Sequence, residues 1–244
     1  MRNLEKLMSN NFFRFKQFEI HQDKTAFKVG TDGVLLGACA RLTGAKRILD
    51  VGTGTGLIAI MAAQRSDAAI IAIEPEEASF IQAAENIRQC KWSERISLIH
   101  NGFTNYSTIA DGKFDVIITN PPYFRNSLKN PDHLKSHARH ADTLTSYDIL
   151  EGSARLLDNS GSLQLILPCT EGRLFIAEAR GSGFYCNRMI KVKPTPAGDI
   201  KRLILMFKKT EMPLSEESLT IETGIRHQYT EEYKKVTRDF YLNF

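Results

Sequence analysis

The chain has 244 residues, 42% of them hydrophobic, and a formal charge of +4 from 32 Lys and Arg against 28 Asp and Glu. That suits one large α/β domain, or one domain with a small appendage, and the small charge excess is compatible with an anionic partner without demanding one. There is no run of eighteen apolar residues, no signal-peptide pattern and no C-x-x-C pair among Cys39, Cys90, Cys169 and Cys186, so a cytoplasmic protein with reduced thiols is expected.

From Arg47 the pattern is regular. RILDVG (47–52) reads as a buried strand, followed by a glycine turn and a helix over 57–65. AIIAIE (69–74) is a second strand, EEASFIQAAENIRQC (76–90) an amphipathic helix, and ISLIH (96–100) a third strand. FDVIITN (114–120) is apolar at consecutive positions, as strands covered on both faces are. TSYDILEGSARLL (145–157) reads as a helix, SLQLILP (162–168) as a fifth strand, and EGRLFIAEARGSG (171–183) as a helix ended by glycine. Two further strands, 185–194 and 201–209, are joined by TPAGDI, which is too short for a crossover helix, so they should be antiparallel. The alternation predicts an α/β fold with a doubly wound, mainly parallel sheet of seven strands and an antiparallel terminal strand. Ligands of such sheets bind beyond the carboxyl ends of the strands, and Gly52–Gly56, Glu74 and Asn120 all fall at predicted strand ends.

DVGTGTGL (50–57) leaves a strand and opens a helix. Gly52, Gly54 and Gly56 permit a tight turn and close approach of a ligand. The dinucleotide fingerprint G-x-G-x-x-G needs its third glycine where Leu57 stands, which counts against a dehydrogenase. The G-x-G-x-G spacing instead resembles the first motif of class I S-adenosylmethionine-dependent methyltransferases. Glu74 lies about twenty residues after the turn, where a carboxylate can accept both ribose hydroxyls. Asp50 can orient the loop or meet the cofactor's ammonium through water. After the third strand, Asn101 and the Phe103 backbone N–H are candidates for the cofactor's adenine.

TNPPYFRN (119–126) ends the fourth strand in a rigid corner. Proline fixes its own φ and pushes the preceding residue into extended backbone. The Asn120 side-chain oxygen and the Pro121 carbonyl can then face one small target, and two adjacent acceptors suit an –NH2 group. Tyr123 can stack on a planar substrate, with Pro122 and Phe124 as further walls. N-P-P-Y in this place is similar to the signature of amino-group methyltransferases acting on adenine, guanine or glutamine amides.

The flanks narrow the resemblance. FRFKQFEIHQDKTAFKVGTDGVLLGA (13–38), KSHARH (135–140) and YTEEYKKVTRDFYLNF (229–244), together with DVGTGTG and NPPYF, resemble the bacterial tRNA (adenine-N(6)-)-methyltransferase family that modifies valine tRNA at position 37. The resemblance covers nearly the whole chain. It implies a Rossmann-like class I methyltransferase fold, S-adenosylmethionine as cofactor and tRNA as partner. It also implies one domain over 1–244: a cap segment (1–45), a catalytic core (46–210) and a C-terminal extension (211–244). The cofactor loop falls on Gly52, Gly54 and Gly56, the ribose ligand on Glu74 and the amine-binding tetrapeptide on Asn120–Tyr123. Thr31 and Asp32 fall where related enzymes close over the cofactor.

Basic residues outside the cofactor core are expected to hold the RNA: Arg14, Lys16, Lys24 and Lys28, then Lys129, Lys135 and Arg139, then Lys234, Lys235 and Arg238. His133, His137 and His140 lack a further close ligand set, so no metal is expected. A monomer is expected, with a dimer left open. The rival readings are methylation of a protein glutamine or an rRNA guanine, and a non-catalytic RNA-binding module.

Overall fold

The uninterrupted apolar runs of the sequence become strands buried on both faces. The structure, a computed structural model, describes residues 11–25, 28–122 and 144–244. In chain order, an N-terminal hairpin pairs β1 (Phe12–Arg14) with β2 (Glu19–His21), and α1 (Thr31–Cys39) follows. Then come β3 (Arg47–Val51), α2 (Leu57–Arg65), β4 (Ala69–Glu74), α3 (Glu77–Gln89), β5 (Ile96–His100), α4 (Phe103–Ile109) and β6 (Phe114–Thr119). After residue 144 come α5 (Ser146–Leu156), β7 (Leu157–Pro168), α6 (Cys169–Gly181), β8 (Tyr185–Lys193), β9 (Arg202–Lys208), β10 (Ser215–Thr220) and α7 (Glu231–Thr237).

The main sheet runs β10-β8-β9-β7-β6-β3-β4-β5, and β9 is antiparallel to both its neighbours. One apolar core, on the face of α1, α2 and α3, includes Leu36, Ile60 and Ile87; the other, on the face of α4, α5 and α6, includes Phe103, Leu150 and Phe175. The strand order reverses between β3 and β6, since the chain goes β3, β4, β5 to one side and then returns to pair β6 on the other.

The antiparallel closing pair is β8 and β9, with β9 inserted inside the sheet. An eighth strand, β10, lies in the segment read as a C-terminal extension. Its sequence, SEESLT, has no apolar alternation and buries only Leu219. Backbone pairing to β8 from Ser215–Arg188 to Thr220–Lys193 makes it a strand. The Arg188 fork adds to this, donating from Nε to Glu217 Oε1 at 2.6 Å and from Nη2 to Oε2 at 3.0 Å. Helix α1 was also missed, because GVLLGAC is buried on all sides and carries no amphipathic period. It lies so close to α2 that a Cβ on Gly37 would stand 2.6 Å from Met61 Sδ.

Candidate functional site

Register places the key strand ends in one row. Val51 pairs with Ile73 on one side and with Thr119 on the other. Glu74, Gly52 and Asn120 therefore leave three adjacent strands together, and neighbouring strands are ~4.8 Å apart. The row spans roughly 10 Å at the point where strand order reverses, where open α/β sheets take their ligands.

The turn between β3 and α2 needs its glycines. Gly52, Gly54 and Gly56 have φ of 68°, 58° and 82°, a region that side chains with a Cβ seldom enter. The Gly52 and Thr53 N–H groups donate to the Ile73 carbonyl at 2.9 and 3.0 Å, which pins the turn to the end of β4. Glu74 is buried and braces the same turn: Oε2 accepts from the Gly54 N–H at 2.8 Å and Oε1 from the Glu76 N–H at 3.0 Å. Burial pushes the Glu74 carboxyl above its usual range, against the pull of those two N–H groups. Each carboxylate oxygen keeps a second lone-pair direction for an incoming hydroxyl.

Asp50 lies beneath the turn. Its Oδ2 accepts from Thr53 Oγ1 at 2.6 Å, while the buried Oδ1 has no partner. Burial pushes its pKa up to about 7, and the charge of Glu74 adds in the same sense. Above Gly52 and Gly54 the space is open, since a Cβ at either would meet nothing within 4 Å. Open space over a glycine turn, a carboxylate beside it and a carboxylate oxygen without a partner fit the amino-acid and sugar ends of a nucleoside cofactor.

The remaining predicted residues spread along this edge. The Asn101 N–H donates to the Glu74 carbonyl at 3.2 Å, and its Oδ1 accepts from Asn105 Nδ2 at 2.9 Å. Phe103 opens α4 with its ring buried in the core, so only its backbone faces the edge. Between them and Glu74, His100 stacks on Phe80 at 4.8 Å, and its Nε2 lies 2.9 Å from the Pro75 carbonyl. Thr31 and Asp32 begin α1, where Asp32 Oδ2 accepts from Arg202 Nε at 2.8 Å, linking α1 to the start of β9. Lys28 is exposed just before α1. Asn120 is half-buried, Pro121 buried and Pro122 exposed. Thr119 Oγ1 donates to the Val51 carbonyl at 3.0 Å and ties the corner to the glycine turn. Tyr123, Phe124, Lys129, Lys135, Arg139 and the three histidines at 133, 137 and 140 lie outside the described residues.

The sequence reading missed the strap that joins the N-terminal segment to the site. Residues 21–25 run along α3 and are held by its inner-face polar groups. Asn86 Oδ1 accepts from the His21 N–H at 2.8 Å, while its Nδ2 donates to the His21 carbonyl at 2.8 Å and the Thr55 carbonyl at 2.9 Å. Gln82 Oε1 accepts from the Lys24 N–H at 2.9 Å, and the Ser79 and Thr25 hydroxyls meet at 2.7 Å. The available signal was Ser79, Gln82 and Asn86 at helical spacing, a polar stripe along a face otherwise lined by Ala83 and Ile87.

Several cations proposed for RNA are engaged elsewhere. Arg14 pairs with Glu19 at 2.8 Å, and Lys24 pairs with Glu85. Lys16 Nζ donates to the Arg238 and Phe244 carbonyl oxygens at 2.5 and 2.6 Å. Lys234 pairs with Glu231 at 2.8 Å. Lys16, Gln64, Arg65 and Arg238 line an open polar groove at the far end of α2 from the glycine turn, so that groove is not part of this site.

Residues 25–170 match the methyltransferase small domain family. A tRNA1(Val) (adenine(37)-N6)-methyltransferase of Bacteroides thetaiotaomicron is 46% identical over 97% of this chain and 99% of its own length. One from Trichodesmium erythraeum is 42% identical over 97% of this chain and 100% of its own length. Among solved structures, a predicted O-methyltransferase from Agrobacterium tumefaciens aligns over 86% of this chain and 96% of its own, with a TM-score of 0.64 at 19% identity. That likeness bears on the fold alone.

Proposed function

Because the chain belongs to the methyltransferase small domain family, and within it to the tRNA1(Val) (adenine(37)-N6)-methyltransferases, we propose that it transfers a methyl group from S-adenosylmethionine to N6 of adenine at position 37 of valine tRNA. The observation that carries this reading is near-full-length identity to those relatives in a chain whose proline corner leaves the strand beside its glycine turn. On this reading the protein is cytoplasmic.

The residues divide the work. Gly52, Gly54 and Gly56 shape the turn that receives the cofactor, Glu74 accepts its ribose hydroxyls, and Asp50 fixes the turn through Thr53. The Asn101 amide and the Phe103 backbone serve the adenine, and Thr31 with Asp32 close the methionyl end. The bound cofactor supplies an electrophilic methyl group.

Asn120 Oδ1 and the Pro121 carbonyl accept the two N–H groups of the substrate amine. An adenine amine has a delocalised lone pair, and two such bonds favour a tetrahedral nitrogen with its lone pair free to attack. They also stabilise the positive charge that grows on nitrogen. The corner would fix that nitrogen beside the glycine turn, where the bound cofactor would supply the methyl group, and such fixing is the proximity contribution. The amine becomes acidic once methylated, so it releases its proton to water without a strong base. Tyr123 stacks on the base, walled by Pro122 and Phe124, and Lys28, Lys135 and Arg139 hold phosphates.

The test is purified protein with methyl-labelled cofactor, offered separately to tRNA, rRNA and protein fractions. Label in valine tRNA as N6-methyladenosine supports the reading. Label in protein or in rRNA guanine replaces it, and failure to bind the cofactor leaves a non-catalytic module.

A further inference from the structure

The segment between β10 and α7 forms a small hydrogen-bonded finger. Glu222 bridges Tyr229, the Thr223 N–H donates to the Gln228 carbonyl at 2.8 Å, and the Gln228 N–H donates to the Ile225 carbonyl at 3.1 Å. At the tip, His227 has a φ of 66°, the one non-glycine residue in the left-handed region among the described residues. Such backbone persists only where its surroundings hold it, and the His227 N–H donates to Glu222 Oε1 at 3.0 Å. The finger is also fastened to the loop between β8 and β9: the Ile221 N–H donates to the Lys193 carbonyl and the Glu222 N–H to the Pro194 carbonyl, both at 2.9 Å.

Ile225 is 60% exposed at the tip, between Gly224 and Arg226. Arg226 and His227 are exposed beside it. Neither Arg226 nor Lys193 has an ion-pair partner among the described residues, whereas the acid of the finger, Glu222, is turned inward onto the His227 N–H. The Lys201 ammonium, in the adjoining loop, has one loose ion pair among the described residues, with Asp199 at 3.9 Å.

Position makes this a matter of function. β10 is parallel to β8, and β8 runs with β7 and β6 because β9 is antiparallel to both β7 and β8. The finger therefore emerges at the same sheet edge as Asn120. It stands four strands from β6, roughly 19 Å away at ordinary strand spacing. That is too far to touch the target base and suits the nucleic-acid backbone on either side of it.

We infer that the Glu222–Tyr229 finger, with Lys193 and Lys201 at its base, is a second RNA contact: it grips the phosphate backbone of the tRNA while the proline corner holds the base. Arg226 and Lys193 neutralise phosphates, and Ile225 packs against a sugar or base face. Pulling the target base out of its stack costs a few kcal/mol, and contacts of this kind offset it. The inference rests on the tRNA reading above and adds the place of contact.

The experiment measures binding of a valine tRNA transcript across a salt series for wild type, Arg226→Ala, the Ile225→Ala/Arg226→Ala pair and Lys91→Ala. The last removes equal charge from an exposed residue after α3, at the opposite sheet edge. Loss of one phosphate contact lowers affinity about fivefold at 0.15 M salt and flattens the log–log slope by roughly 0.7–0.9. Arg226→Ala should show both, the pair should lose more, and Lys91→Ala should show neither. Cofactor affinity, measured on the same proteins by calorimetry, should not change. Equal affinities and slopes for wild type and Arg226→Ala overturn the finger while leaving the tRNA reading intact. A wild type that binds cofactor but no tRNA overturns both. A finger variant that instead loses affinity for a protein substrate overturns the RNA assignment alone.

Discussion

Asp50 carries the strongest electrostatic consequence of the site. Its pKa is raised by burial from 3.8 to about 7. A carboxyl raised in the folded state stabilises the fold fully below its unfolded value, and that contribution is lost as pH rises through the folded value. Between about pH 4 and 7 the folded protein holds this proton and the unfolded chain does not, so the ligand-free protein should lose stability on the order of 4 kcal/mol from this group. Chemical denaturation at several pH values should show wild type falling relative to Asp50→Asn across that window; parallel curves would contradict it. Asn120→Ala should lower methyl transfer by about a hundredfold with little change in cofactor affinity, as loss of a preorganised polar contact does. Single-turnover assays and calorimetry together read both quantities, and near-normal turnover would remove Asn120 from the chemistry. Glu74→Ala should act the other way, costing roughly 1.5–3 kcal/mol of cofactor binding by calorimetry. Unchanged affinity would leave Glu74 only the bracing of Gly54.

At the scale of elements, the site depends on a strap that no single motif announces. Asn86 joins the strap, α3 and the glycine turn through three hydrogen bonds. Asn86→Ala leaves the His21 N–H, the His21 carbonyl and the Thr55 carbonyl without this partner. The expected cost is about 2–4 kcal/mol of stability, since unsatisfied buried polar groups cost about 1–3 kcal/mol each and water reaches part of this strap. Hydrogen exchange should rise in residues 19–25 and 52–56 before it rises in β6 or β7; uniform exchange would show that the knot is not local. The polar stripe of α3 was visible in the sequence but the strap over it was not, because a polar residue on a helix face reads as solvent-exposed until something packs over it. The glycine turn and the corner were legible because local backbone restriction dictates them. Gly54 and Gly56 take φ of 58° and 82°, which glycine adopts without steric cost, and Pro121 constrains Asn120 wherever the chain goes.

At the scale of the molecule, two binding events use different physics. On the proposed reading, the cofactor would meet a buried carboxylate and an uncharged glycine turn, whereas tRNA would meet exposed cations. Affinity for valine tRNA should therefore fall steeply between 50 and 200 mM salt, while cofactor affinity changes little. Titrations of both ligands across that range check this, and equal salt dependence would remove phosphate contacts from the account. The edge strand β10 fits this scale as well. Its acids pair with Arg188 and Lys191 of β8, and among the described residues none pairs with Arg226 or Lys193 at the site edge.

The sequence by itself determined the parallel α/β sheet, the glycine turn and the proline corner. Each follows from apolar runs of strand length or from residues whose backbone freedom is fixed locally. Even the antiparallel pair β8–β9 could be read from a connection too short for a helix. Only the tertiary structure decided that Glu74, Gly52 and Asn120 stand in one row, because strand register is set by pairing between segments far apart in the chain. It also decided that Asp32 meets Arg202, that Arg14 and Lys24 are neutralised by neighbouring acids, and that SEESLT becomes a strand beside β8. Apart from Glu19, which is five residues from Arg14, the deciding partner is remote in sequence or is backbone, so side-chain pattern alone carries no trace of it.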